Sequence, residues 1–292
     1  MRNPSELVLK AFLSRCSPER RSALEKFLPE LERLRIQELP SFEEGVTPEG
    51  FTNGGILEQV HWSWFLPTLK TYPVKERKLF LTALNPVAAQ NLAHSLEITD
   101  YSQEMSETGR GFLRQILLNS LLGPKDRLLP IDYLPPSPLK PLFRLSKKEL
   151  TKLIDFLSLH DLAAEIRQIV ETKILKKIYS FLSEDERKFL KQTMAHQKES
   201  FPMPRMALER WDGEEESFRH LLHRRGIMRL SLALSGQDPD FIWYICHQLD
   251  IGRGNVLYKL CGKEAAAGVA TDVADMIIRQ IEEILANPEM HL

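Results

Sequence analysis

The chain predicts an all-α fold built from stacked short-helix bundles, and three observations point to it. Two serine–glutamate capping boxes, Ser146 with Glu149 and Ser183 with Glu186, each open a stretch whose apolar residues recur at helical spacing. Alternating apolar and polar runs are rare. No Asn-Gly or Asp-Gly pair lies between β-branched segments, as a hairpin would require.

Composition limits what such a fold can do. With 292 residues the chain is long enough for about two domains. Its 43% hydrophobic and 27% charged residues are those of an ordinary globular protein, and a formal charge of -1 provides no long-range attraction to nucleic acid. Cys16, Cys246 and Cys261 are odd in number and scattered, which suits a reducing compartment. No uninterrupted apolar run reaches the roughly 18 residues of a membrane span. Glu6, Lys10 and Arg15 stand where a secretory peptide would be apolar. A cytoplasmic protein with no direct membrane insertion is expected.

Proline and glycine divide the chain. Residues 1–39 read as an N-terminal helical segment, closed by the Pro-, Gly-, Thr- and Asn-rich stretch Pro40–Gly55. Residues 51–128 read as a middle helical domain. Near its start, VHWSWFLPTL concentrates Trp62, Trp64 and Phe65, which suit either core packing or an interface cluster. Residues 129–142, with Pro130, Pro135, Pro136, Pro138 and Pro141, predict an extended linker lacking helical donors.

In residues 143–197, Leu150, Leu153, Ile154 and Leu157 line one helical face. Leu162, Ile166, Ile169 and Val170 predict a second short helix, and Ile174, Leu175, Ile178 and Leu182 a third. The break SFPMPR, Ser200–Arg205, precedes a C-terminal helical domain at 206–292. There the acidic run Asp212–Glu216 suits a helix N-terminus. Ser217–Leu222 and Ile227–Leu234 predict two short helices, with Arg224 and Arg225 meeting the carbonyl end of the first. Gly236 suits the left-handed position after a helix. Asp238 then caps a new helix that has Pro239 in its first turn. Phe241, Ile242, Ile245 and Leu249 form its apolar face, which leaves Trp243 and Tyr244 for a second surface.

The order Phe201, Leu208, Phe218, Leu221-Leu222, Leu230, Ala233-Leu234 and Gly236, then a helix, Arg253, and the final amphipathic segment TDVADMIIRQIEEIL at Thr271–Leu285, resembles the flagellar motor switch protein FliG. DLAAEIRQIVETKILKKIYSFLSEDE resembles the armadillo-like helices before that family's C-terminal bundle. LTALNPVAAQNLAHSL at Leu81–Leu96 resembles its middle domain. The resemblance covers about two thirds of the chain, loosely, and implies armadillo-like repeats followed by a C-terminal bundle.

The departures bear on function. Ser235 stands where the family has a lysine, and Arg253 matches a family arginine with a shift of one residue. Tyr258, Lys259 and Leu260 occupy the place of an acidic pair, so the charge complementarity that serves torque is lost. SFPMP replaces a flexible hinge with two prolines. His61 is followed by Trp62 where the family's partner motif has proline. What remains implied is a structural adaptor without torque generation, in the cytoplasmic part of a type III secretion or flagellar basal body. Its expected partners are membrane-ring and cytoplasmic-platform proteins, self-association included, at the inner face of the inner membrane. A helical-repeat chaperone or regulator of secreted proteins is the alternative. The protein-binding candidates are Trp62, Trp64, Phe65, Arg224, Arg225, Trp243, Tyr244, Arg253 and Lys259.

Catalysis is not expected, and neither a cofactor nor a metal. Cys261-Gly262-Lys263-Glu264 lacks the upstream glycine and the Ser/Thr of a phosphate loop. Gly252-Arg253-Gly254 follows a helix and lacks a third glycine. His220 and His223 lie one turn apart without further ligands, so they read as surface histidines. Cys246 and His247 diverge by about 100° on a helix and cannot act as nucleophile and base. Cys246 reads as a buried thiol.

Overall fold

The computed structural model describes residues 4–14, 16–38, 53–122, 128–196, 206, 208, 211–267 and 271–287, and no strand occurs among them. The fold is all-α. The proline break at 200–205, Phe201, most of the 40–55 break and the segment ends at 123–127 and 288–292 lie outside the described residues. The chain divides into two compact units, residues 1–137 with 238–244 and residues 138–237 with 245–292.

The first unit begins with α1 (Pro4–Ser14), α2 (Pro18–Glu25) and α3 (Glu30–Glu38). Ser17 caps α2 by accepting from the Arg20 amide, and Pro18 occupies the first turn, where its missing N–H removes no bond. Leu13 of α1 and Ile36 of α3 are buried. Then come α4 (Asn53–Glu58), a 3-10 turn at Trp62–Phe65, α5 (Leu66–Lys70), α6 (Val74–Ala83), α7 (Pro86–Ser95) and α8 (Glu107–Leu122). Asn85 caps α7 through the Ala88 amide at 2.8 Å. Arg110 and Arg114 of α8 donate to the Thr82 and Ala83 carbonyls, 2.8 and 2.7 Å, at the negative end of α6. Phe65, Leu69, Leu92 and Leu117 are fully buried at the centre.

Residues 129–142 depart from the extended path their prolines predict. A 3-10 turn forms at Ile131–Tyr133 and another begins at Lys140. Tyr133, Leu134, Leu139 and Leu142 are buried. Proline removes donors but does not prevent its neighbours from burying apolar area, and here the leucines decide the path.

The second unit contains α9 (Lys147–Ile166), α10 (Thr172–Phe181), α11 (Glu184–His196) and α12 (Glu215–Leu234). It also holds α14 (Ile251–Ala267), α15 (Thr271–Ala286) and the last residues of α13 (Pro239–Gln248). Both capping boxes form: Ser146 and Glu149 exchange bonds at the start of α9, and Ser183 and Glu186 do so at α11. Leu150, Leu153, Ile154 and Leu157 are completely buried. Each contributes roughly 1.5–3 kcal/mol relative to exposure. In α15 the expected face is present, with Val273, Ile277, Ile281 and Ile284 buried.

Three sequence expectations are corrected here. The two short helices expected at 150–157 and 162–170 are a single α9 that ends at Ile166, because no glycine or proline interrupts it. The helices expected at 217–222 and 227–234 are likewise one, so Arg224 and Arg225 sit in mid-helix and not at a carbonyl end. Gly226 lies inside that helix for packing, not as a stop: a β-carbon there would meet the Ile154 carbonyl oxygen at 1.8 Å. Gly236 does not adopt the left-handed conformation. Ser235 leaves α12 in right-handed geometry, and the Gln237 amide closes the turn on the Leu234 carbonyl at 3.0 Å. The cap at Asp238 does form, accepting from the Asp240 amide at 2.9 Å.

Candidate functional site

The second unit places its charge along the α9–α12 contact. Asp161 of α9 accepts from Arg225 Nε at 2.6 Å and from Arg229 Nη1 at 2.5 Å, and all three side chains are buried. Arg225 and Arg229 lie one turn apart on α12, where like charges repel; a single carboxylate between them reverses that sign. Arg229 also donates to Gln280 of α15, so one guanidinium braces three helices. His160, beside Asp161, is buried edge-on to Phe189 with ring centroids 5.3 Å apart, and its Nε2 has no hydrogen-bond partner. Burial, then the charge of Arg229, pushes its pKa down to about 3. The imidazole is therefore neutral in the folded chain at neutral pH.

A second charged chain runs along the rim of the same unit. His223 of α12 holds Asp155 of α9 through Nδ1 at 2.7 Å, and its Nε2 accepts from Arg253 Nε at 3.0 Å. Arg253 continues to Asp250 at 2.6 Å, and Lys147 approaches the same carboxylate at 3.5 Å. Partial burial raises the Asp250 pKa, but the Arg253 backbone and side-chain bonds, with the charges of Arg253 and Lys147, bring it below its ordinary value. An aspartate–histidine pair of this kind can serve a general base only if the distal nitrogen is open. Here the Arg253 guanidinium occupies it. The arrangement ties α9, α12 and α14 together.

The residues singled out from sequence therefore separate. Phe65 is wholly buried, and Trp62 and Trp64 are half-buried in the turn that His61 caps. Arg225 is an interior ion-pair partner. Tyr244 is also interior: its hydroxyl donates to the Leu129 carbonyl at 3.0 Å, and burial, then the charges of Asp240 and Asp132, raises its pKa. The second surface expected of Trp243 and Tyr244 thus reduces to the half-buried Trp243. Arg224 and Lys259 are exposed, while Arg253 belongs to the rim. Of the paired histidines, His220 is exposed, but His223 is engaged at both nitrogens. Cys246 is buried, as expected.

Asp155, His160, Asp161 and Arg229 are the residues that sequence reasoning missed. Their signal was the polar group Ser158, His160 and Asp161 inside the otherwise apolar run of α9, matched by arginines one turn apart on α12.

Outside these networks, large apolar side chains remain on the surface. In the first unit Phe12, Phe27, Leu31 and Leu34 are exposed by 50, 87, 71 and 50%. In the second, Val170 is 93% exposed and lines a cavity of about 290 Å³ together with Ile169, Ile174, Leu208, Glu165 and Glu171. Among the described residues no group of three or more His, Cys, Asp and Glu converges as a metal site, and no helix is long and apolar enough to cross a membrane. A scan against protein-family models and searches of curated proteins and of solved structures find no match to this chain.

Proposed function

We propose that the chain is a structural adaptor whose work is protein–protein contact, of the kind found between a membrane ring and a cytoplasmic platform in a type III secretion or flagellar basal body. The observation that carries this reading is the exposed apolar set Phe12 on α1, Phe27 in the turn before α3, and Leu31 and Leu34 on α3. Large aromatic and aliphatic side chains left in water on one small bundle mark a surface that another protein covers. The charge networks of the second unit favour the same reading, because Asp161, Arg225, Arg253 and both nitrogens of His223 are engaged in joining helices. The secretion or flagellar context rests on the resemblance to the FliG family. The replacement of acidic residues by Tyr258 and Lys259 favours a part without torque generation.

A second reading has its own observation. The apolar lining residues Ile169, Ile174 and Leu208, together with exposed Val170, favour a chaperone or regulator that holds a segment of a secreted protein.

The test is affinity capture of the full-length chain from its native host, with a Phe27→Asp/Leu31→Asp variant in parallel, read by mass spectrometry. Ring and platform subunits recovered with the parent and lost with the variant are the expected result. Recovery of secreted effectors alone, unchanged in the variant but lost on Val170→Asp, would replace the adaptor with the chaperone.

A further inference from the structure

Between α1, α2 and α3 lies a cavity of about 240 Å³, open to solvent, whose lining is unusual for its charge. Lys10 comes from α1, Arg21 from α2 and Arg33 from α3, so each helix supplies one cation, with Glu25 the single carboxylate among the lining residues. The lining thus carries a net charge of +2, three cations less one anion, in a chain whose overall charge is -1. Glu25 pairs with Arg21 Nε at 2.8 Å, which leaves the terminal guanidinium nitrogens of Arg21 outside that bond. Lys10 reaches the Gln37 carbonyl at 3.3 Å. Among the described residues Arg33, half-buried, forms no ion pair.

Cations do not gather in a cavity without cost. Partial burial, then the nearby charge of Arg21, holds the Lys10 pKa below its ordinary value, so the charged form of this lysine is disfavoured where it stands. An anion entering the cavity would favour the charged lysine and offset its repulsion from Arg21. At ~30 Å³ per water the cavity holds about eight waters, enough for one compact anion with part of its hydration and too little for a nucleotide.

We infer that this cavity is a binding site for a phosphate-class dianion, held by Lys10, Arg21 and Arg33. Three cations from three helices match the three terminal oxygens of a phosphate monoester, whereas a carboxylate offers two oxygens in one plane. Arginine presents paired donors to such oxygens and lysine adds a point charge. The dianion balances the net charge of the lining. This inference does not depend on the adaptor reading.

The ligand chemistry is common to free phosphate esters and to a lipid headgroup, and the experiment separates them. The full-length chain is titrated calorimetrically with inorganic phosphate and with glycerol phosphate against chloride at matched ionic strength. In a second arm it is sedimented with phosphatidylcholine vesicles with and without phosphatidic acid. The expected result is saturable binding that weakens about tenfold in Arg33→Gln and in Arg21→Gln, and not in Lys75→Gln, a surface cation outside the cavity. Circular dichroism and the thermal midpoint check that each variant keeps its helices. Binding of the soluble esters alone identifies a small-molecule ligand; sedimentation with phosphatidic acid that Arg33→Gln abolishes extends the site to a headgroup. No saturable phosphate binding, or binding unchanged in both cavity variants, overturns the inference.

Discussion

Gly226 on α12 and Ile154 on α9 meet backbone to backbone, so closely that a β-carbon on Gly226 would stand 1.8 Å from the Ile154 carbonyl oxygen and 2.7 Å from its carbon. The obstacle is main chain, which cannot rotate away. Gly226→Ala is therefore expected to destabilise the second unit by at least about 2–3 kcal/mol, although alanine is the better helix former by about 1 kcal/mol. Gly262 on α14 is the internal control: nothing lies within 4 Å of its would-be β-carbon. Gly262→Ala should stabilise the chain by up to about 1 kcal/mol. Urea unfolding of both variants decides; equal and opposite-to-expected shifts would mean that the helices cross elsewhere.

Asp161 bridges two buried guanidinium groups. Asp161→Asn leaves Arg225 and Arg229 facing each other without a counter-charge, at a cost of roughly 3–5 kcal/mol. Replacing all three together, with Asp161→Leu, Arg225→Leu and Arg229→Met, should recover most of that loss, because a packed apolar trio needs no pairing. Denaturant midpoints of the single and triple variants measure the difference, and a triple variant as unstable as the single one would contradict it.

His160 links stability to mild acid. Its folded pKa lies near 3, below the ~6.5 of an unfolded histidine, so between those values the unfolded chain binds the extra proton. Stability is then complete above about pH 6.5 and falls as pH is lowered, by up to about 1.4 kcal/mol per unit. His160→Phe replaces the imidazole whose Nε2 has no partner with a ring of similar shape. That variant should match or exceed the parent at pH 7 and lose the slope between about pH 6.5 and 5, above the range where carboxylates titrate. Thermal midpoints across that window test it.

The thiols should report burial directly. Burial raises both interior cysteines, Cys261 to about 12 and Cys246 well above its ordinary value, so neither presents a thiolate near neutrality. Cys16 is half-buried. A disulfide reagent at about pH 8 should modify Cys16 in the native chain and reach Cys246 and Cys261 only in denaturant. Rapid native modification of Cys246 would contradict the burial of that thiol on α13.

The all-α class, the two capping boxes, the start of α13 at Asp238 and the buried face of α15 were legible in the sequence alone. Each depends on bonds or periodicity within a few residues, and local chemistry of that range is written directly in residue order. The tertiary structure decided the rest. Whether Gly226 ends a helix or lets two helices touch depends on Ile154, 72 positions earlier. Asp161 finds its arginines 64 and 68 positions away, and the Tyr244 hydroxyl finds its acceptor 115 positions away. The sequence marked Arg225, Tyr244 and Phe65 as candidates for a surface, and the structure buries all three. Helical periodicity tells which residues share a face. Only packing tells whether that face meets another helix or water, since burial is a property of the neighbour as much as of the residue itself.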